Sequence, residues 1–276
     1  MSRWLQSLNP EQQRAVLYRE GPLLILAGAG SGKTTVLVAR AGSLIESGVR
    51  ADSICVLTFT NKAARELKHR VQQKLGRSSR GLWAGTFHSF GLNLLRRHAS
   101  QAGLPSHFGI IDHSDGQAVL KDLLRTLSVP GRDKFDLEKL LSLINELRLV
   151  GRFRSPAEDE YRDVAEVLKD RYLKRLQSLG VVDFEGLLLK PLELLNEHPE
   201  IKEALHQSLR YLMVDEFQDT NSLQMELIDS IMNKDRNLAV VGDDDQSIYG
   251  WRGAEVTHIL DFPKRYQNCE VIRLER

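Results

Sequence analysis

Between residues 21 and 85, short apolar runs alternate with longer stretches of helical periodicity. PLLILAG, SICVLTF and LWAGTF have strand length, and helical patterns begin after Gly32 and at Asn61. This is the rhythm of parallel strands joined by helices. After Phe90 the strand signals stop, and until about Arg210 the pattern is helical almost throughout. Leu137, Leu140, Leu141, Ile144 and Leu147 fall on one helix face at spacings of three and four. Ser155, Pro156 and Glu158 have the spacing of a capping box with proline at the first helical position, which predicts a helix start there, and Gly180 predicts a stop. Strands return at YLMVD and NLAVVGD, with a last one at CEVIRL. The expectation is one α/β sheet domain built from residues 1–89 and 208–276, interrupted by a mostly α-helical insertion over 90–207.

Composition changes this picture little. Of 276 residues, 42% are hydrophobic and 27% charged, the balance of a soluble globular chain. Lys plus Arg number 38 against 37 Asp plus Glu, so bulk charge says nothing about a nucleic-acid partner and any such signal must be local. Cys55 and Cys269 stand in strand-like contexts without a CxxC partner and read as buried thiols of a reducing compartment. The N-terminus MSRWLQSLNPEQQ has no apolar core of a signal peptide, and no run approaches the ~18 residues of a membrane span. A soluble, cytoplasmic protein with no membrane partner is expected.

The first candidate chemistry lies in LLILAGAGSGKTT, a buried strand leading through a glycine-rich turn into a helix. Small residues there let backbone N–H groups wrap a polyphosphate, and the helix N-terminus adds partial positive charge. The cradle would comprise Ala27, Gly28, Ala29, Gly30, Ser31, Gly32, Lys33, Thr34 and Thr35, with Lys33 reaching the terminal phosphates and Thr34 holding Mg²⁺. The pattern GxxxxGK(S/T) fails at its first position, Ala27, although three glycines keep the turn compliant; the plain alternative is a glycine-rich turn with a surface lysine. YLMVDEFQDT ends a strand in Asp215 and Glu216, at the carboxyl edge where a phosphate turn also sits. Asp215 suits the Mg²⁺ contact and Glu216 the general base, unless the acidic end merely caps a helix, as Asp219 and Thr220 could. Gln246, after the next strand, could sense a γ-phosphate, because an amide both donates to phosphate oxygen and orients water. Asp243, Asp244 and Asp245 beside it are not assigned to metal.

A second candidate surface is aromatic and basic. Tyr249 and Trp251 are flanked by Gly250 and Gly253. They either pack in a core or present their rings to unpaired bases, and Arg252 can pair with phosphate or stack as a cation. In LTFTNKAARELKHR, Phe59, Thr60 and Asn61 leave a strand end, and Lys62, Arg65, Lys68, Arg70 and Lys74 meet only Glu66 as an acid. That helix is either a phosphate-backbone patch, whose affinity would fall with salt, or a solvated face. GTFHSF adds Thr86, His88 and Ser89 at another strand end, where His88 reads as a local hydrogen-bonding residue. Asn9, Pro10 and Gln12 form a cap-like helix entry, and Gln12 either completes that cap or reads the edge of adenine.

Six stretches, LNPEQQ, AGAGSGKT, LTFTNKAARELKHR, GTFHSF, VDEFQDT and VGDDDQSIYGWRGA, follow one another in an order that resembles the superfamily 1 DNA helicases of the UvrD, Rep and PcrA type across nearly the whole chain. The resemblance implies a RecA-like P-loop NTPase domain that uses ATP and Mg²⁺, and Ala27 at the first turn position is usual in it. It implies that Gln12 contacts adenine and that Lys33, Thr34, Asp215, Glu216 and Gln246 serve nucleotide and metal. Phe59, Asn61, Thr86, His88, Tyr249, Trp251 and Arg252 would lie on the path of single-stranded DNA, with 3′-to-5′ polarity and duplex junctions as substrate. Two positions depart from the pattern: Thr35 stands where arginine often follows GKT, and a common DFDDLL appears as DFEGLL over residues 183–188. In this family the chain continues beyond a sequence like VIRLE into a second RecA-like domain carrying the arginines that stabilise the transferring phosphate. This sequence ends at Arg276, so the N-terminal half of a helicase with little activity alone is expected; such an arginine is typically worth ~10³ to 10⁵ in rate. The rival expectations are a non-enzymatic single-strand-binding module with a vestigial nucleotide site and the motor half of a helicase–nuclease.

Overall fold

The computed structural model describes residues 3–28, 30–126, 132–235, 237–243 and 257–274. In chain order the described elements are α1 (Pro10–Leu17), β1 (Leu23–Ala27), α2 (Lys33–Glu46), β2 (Ile54–Thr58), α3 (Asn61–Leu75), β3 (Trp83–Thr86) and α4 (Phe87–Arg97). There follow β4 (Gly109–Ile110), α5 (His113–Thr126), α6 (Leu137–Val150), α7 (Asp159–Leu179), β5 (Val181–Val182) and α8 (Gly186–Glu197). The chain then forms α9 (Pro199–Ser208), β6 (Tyr211–Val214), α10 (Ser222–Ile231), β7 (Leu238–Gly242), α11 (Thr257–Arg265) and β8 (Glu270–Leu274). These make two compact units, Met1–Phe90 with Leu195–Arg276, and Gly91–Leu194.

The first unit is built on a six-stranded sheet in the order β3-β2-β6-β7-β1-β8, with every pair parallel. Strands β1, β2, β6 and β7 are buried at every position, which is why their sequences are unbroken apolar runs: helices cover both faces of a parallel sheet. β8, at the edge, alternates exposed and buried side chains. Helix α1 starts at a complete capping box, in which Asn9 Oδ1 accepts from Gln12 N–H and Gln12 Oε1 accepts from Asn9 N–H, with Pro10 at the first helical position. Arg40, 1% exposed, donates from α2 to the carbonyls of Ala15 and Tyr18 at the end of α1. With carbonyls as its described partners, burial draws that guanidinium down to about 10.

The parallel α/β sheet is as expected from the alternating pattern. The units divide at 194 rather than at 207, so α9, expected in the insertion, lies in the first unit. Its neighbours explain this: His206 Nε2 donates to the Ser230 carbonyl (2.9 Å), and Asn233 Nδ2 donates to Leu209 O (3.1 Å), which fastens α9 to α10. Cys55 is buried in β2, whereas Cys269, just before the edge strand β8, is only half-buried.

The second unit is mainly helical, as expected, but it also contains a two-stranded parallel pair, β4 with β5. Leu140, Leu141 and Ile144 of α6 pack with Leu168, Tyr172 and Leu176 of α7 and Leu120 and Leu124 of α5. Helix α7 does not begin at Pro156. It begins at Asp159, with Glu158 at the cap position and no side-chain cap bond. Ser155 is engaged elsewhere, since its N–H and hydroxyl both donate to the Glu146 carboxylate, which also takes Arg154 N–H. Gly180 does end the helix, in the left-handed conformation (φ 65°).

Two close fits shape the second unit. Asp183 and Arg148 form a bidentate pair (2.5 and 2.9 Å) with side chains only 6% and 5% exposed, and Tyr172 OH and Gly186 N–H also donate to the carboxylate. A Cβ at Gly186 would stand 2.8 Å from Asp183 Oδ1, so glycine in the departing DFEGLL stretch leaves room for that pair. Pro191 lies inside α8 and cannot donate to the carbonyl four residues back. That carbonyl, of Leu187, lies against Gly91, where a Cβ would come within 1.8 Å of its oxygen.

Candidate active site

The phosphate turn begins where β1 ends. Gly30 and Gly32 adopt positive φ (79° and 87°), conformations that glycine takes at no steric cost. Ser31 closes the turn, its N–H (3.2 Å) and hydroxyl (2.7 Å) both donating to the Gly28 carbonyl. Gly32 is the cap residue of α2, which makes Lys33 and Thr34 the first helical residues. Gln12 reaches this turn from α1: its Oε1 serves the capping box while its Nε2 donates to Ser31 O (2.9 Å). A Cβ at Gly32 would lie 2.9 Å from that Nε2, so a side chain there would push the amide away from the turn. The cap and the contact with the turn are therefore held by one side chain at once.

Opposite the turn, β6 delivers its acids at its carboxyl end, with β7 between it and β1. Lys33 Nζ donates to Glu216 Oε2 at 3.2 Å, with the lysine side chain only 12% exposed. Glu216 stands at φ 50°, a left-handed conformation uncommon for a residue with a Cβ. Asp215 is 5% exposed, its N–H donating to Leu57 O and its Oδ1 accepting from Glu216 N–H. Burial, with the Glu216 charge adding to it, raises the Asp215 carboxyl to about 6, against the opposing pull of Glu216 N–H and Lys33. Such an arrangement gathers a cation, a buried carboxylate short of positive charge and a second carboxylate beside a glycine-rich turn. Hard oxygen donors of this kind suit a divalent cation held jointly with phosphate.

Over residues 8–267 the sequence matches the family described as the UvrD/REP helicase N-terminal domain. The chain belongs to that family. It is 40% identical, over its whole length, to the ATP-dependent DNA helicase PcrA of Staphylococcus aureus (strain Mu50). It is 42% identical over 99% of its length to the protein of that name from Bacillus subtilis (strain 168). It spans 38% and 37% of the lengths of these two relatives.

In this UvrD/REP domain the other expected site residues are distributed as follows. Thr34 is partly buried and Thr35 exposed in the first turn of α2. Ala29, Gln246, Tyr249, Trp251 and Arg252 lie outside the described residues. Phe59, at the end of β2, meets the Phe87 ring edge-on (centroids 5.6 Å), and Asn61 is exposed at the start of α3. Thr86 caps α4 by accepting from Ser89 N–H (3.2 Å), and the two hydroxyls share a further hydrogen bond (2.9 Å). His88 is half-buried, and burial lowers its pKa, favouring the neutral ring. On α3, Arg70 pairs with Glu66 and Lys74 sits over the Trp4 ring (4.6 Å), while Lys62, Arg65 and Lys68 are exposed. The basic helix is thus partly a structural device and partly an accessible cationic face.

Two site neighbours escaped the sequence reading. Gln218, 3% exposed, donates from Nε2 to Glu216 Oε2 (2.8 Å) and accepts Asp243 N–H at Oε1 (3.1 Å). His258 Nδ1 donates to the Thr220 carbonyl (3.0 Å), bringing α11 to the turn after the acids. The signal for Gln218 was its place inside the VDEFQDT stretch, two residues beyond Glu216. Among the described residues no helix is long and apolar enough to cross a membrane.

Proposed function

We propose that this chain is the ATP-binding and single-stranded-DNA-binding portion of an ATP-dependent 3′-to-5′ DNA helicase, with residues 91–194 as a helical insertion in its RecA-like domain. The observation that carries the reading is Lys33, at the head of the phosphate turn, reaching Glu216 beside the buried Asp215. Lys33 would transfer from Glu216 to the terminal phosphates, leaving the Glu216 carboxylate to accept a proton from water. Asp215 and Thr34 would hold Mg²⁺; when bound, the ion neutralises charge developing on the phosphate oxygens. The residues present fit it, because a cation is what the raised Asp215 carboxyl lacks. Gln12, anchored to both α1 and the turn, would read the adenine edge. Phe59, Asn61, Thr86 and His88, with Gln246, Tyr249, Trp251 and Arg252 after β7, would link nucleotide state to grip on an unpaired strand. A second RecA-like domain is the expected partner in the complete motor.

The test begins with protection from thermal unfolding by Mg-ATP, worth about 2.7 kcal/mol at a ligand concentration of one hundred times Kd. Lys33→Ala is expected to abolish it. ATP hydrolysis with and without oligo-dT, against Glu216→Gln as background, then asks whether turnover and strand binding are linked. Mg-ATP protection equal in wild type and Lys33→Ala would refute the reading.

A further inference from the structure

We infer that Gln218 is a positioning residue: it holds the Glu216 carboxylate and ties it to the exit of β7, so that events at Lys33 are transmitted to Asp243. The inference rests on the nucleotide reading of Lys33 and Glu216 given above, to which it adds a residue and a direction of transmission.

The geometry is specific to an amide. Gln218 lies in the short turn Phe217–Asp219, and both ends of its side chain are used, Nε2 toward Glu216 and Oε1 toward Asp243 N–H. An amide presents a donor and an acceptor in one rigid plane. A carboxylate in that place would keep the acceptor, lose the donor and repel Glu216; an apolar side chain would lose both. A Cβ at Gly242 would come within 2.6 Å of Ile259 Cδ1, 2.9 Å of Gln218 Oε1 and 3.3 Å of Gln218 N, so the glycine of β7 leaves space for the Ile259 side chain and the amide together. Room for the amide is therefore built into the neighbouring strand.

The partner it holds is itself constrained. Glu216 occupies a left-handed backbone conformation, which persists where the surroundings over-determine it. Its Oε2 accepts from two donors, Lys33 Nζ at 3.2 Å and Gln218 Nε2 at 2.8 Å. A polyphosphate in the turn competes for the lysine and has no claim on the amide. Once Lys33 is drawn away, Glu216 relaxes against Gln218, and the planar amide passes the adjustment to the N–H of Asp243. Lys33, Glu216, Gln218 and Asp243 thus form one continuous chain of polar contacts across the end of the sheet, from the strand β1 side through β6 to β7.

Amide-resolved hydrogen exchange by NMR on the intact chain tests this, with Mg-ATPγS as the probe. In wild type, nucleotide is expected to slow exchange at Ser31 to Thr34 and to alter it at Asp243. Gln218→Met should accelerate Asp243 exchange about tenfold without nucleotide, the loss of one buried hydrogen bond, and should abolish its nucleotide response while the phosphate turn still responds. Gln218→Glu is the sharper variant. It retains an acceptor for Asp243 N–H, so basal protection falls less than in Gln218→Met, yet it has no donor for Glu216, so the response at Asp243 is lost. A purely structural glutamine would not separate those two quantities. Should Gln218→Met fail to fold, Gln218→Glu and the shorter Gln218→Asn carry the test. The inference is overturned if Asp243 ignores nucleotide in wild type while the turn responds, or if Gln218→Glu transmits as wild type does. Silence at both places in wild type overturns the nucleotide reading itself, and the inference with it.

Discussion

Asp215 and Asp183 are equally removed from solvent, at 5% and 4% exposed, and electrostatically they are opposites. Burial pushes both carboxyls upward. At Asp183 the two hydrogen bonds and the charge of Arg148, with Gly186 N–H and Tyr172 OH, more than offset it and hold the carboxyl below its ordinary value. At Asp215 a like charge sits next door and Lys33 is turned toward Glu216, so the carboxyl stays high, at about 6. A buried acid with its bonds complete is a fastening; one left short of positive charge is poised to bind something. Asp183 is committed to partners within its own unit, whereas Asp215 is left open to a further cation.

The strongest way to break this contrast is to remove the partner at the satisfied site. Arg148→Met leaves Asp183 buried without its cation and should cost about 3–5 kcal/mol, read by urea unfolding, with Mg-ATP protection of the first unit retained. Because the folded-state value of Asp183 is depressed, the stability it contributes is present above the unfolded value near 4 and is lost as pH falls through the folded value. A loss below about 1 kcal/mol would show that the pair is not the fastening described.

Asp215→Asn tests the other half with the opposite sign. A carboxyl held at about 6 binds its proton more tightly in the folded state, so stability is present below the unfolded value and declines as pH rises from about 4 to about 6. The asparagine variant should therefore be more stable than wild type at pH 7.5, by about 1–3 kcal/mol, and should lose that advantage near pH 4. It should also lose Mg-ATP protection, the mark of a site whose instability is retained for binding. A variant less stable than wild type at pH 7.5 would contradict the account.

Much of this organisation could be read in the residues. Parallel strands announce themselves as unbroken apolar runs because both faces are covered, and the glycine-rich turn is visible because its positive φ values demand glycine. What could not be read were bonds between side chains distant in sequence. Ser155 had the spacing of a helix cap, but Glu146 claims its N–H and hydroxyl. DFEGLL registered only as a departure from a pattern, and nothing local showed that Asp183 is the centre of a buried network for which Gly186 makes room. Gln12 presented a choice between cap and ligand contact because sequence spacing reports only local partners; the bond from its Nε2 to Ser31 spans two elements. Gln218 was missed for the same reason.

The smallest effect is expected at Thr86, which joins the two kinds of residue in one hydroxyl: it caps α4 and lies among the residues proposed for the strand path. Thr86→Ala should cost about 1 kcal/mol of stability by removing the cap, and Thr86→Ser should restore it. If the serine variant recovers stability without recovering oligo-dT binding, the methyl group is what the strand touches.

The proline in α8 carries one last consequence, and it concerns how such sequences can vary. Pro191 leaves the Leu187 carbonyl without its usual helical donor, and that carbonyl lies where any side chain at residue 91 would begin. Positions 91 and 191, a hundred residues apart in the chain, are thus linked through an atom that belongs to neither. In a set of relatives, an alanine at the first position should appear only where the oxygen has moved, and chimaeras that exchange one of the two helices should inherit a mismatch that neither parent contains.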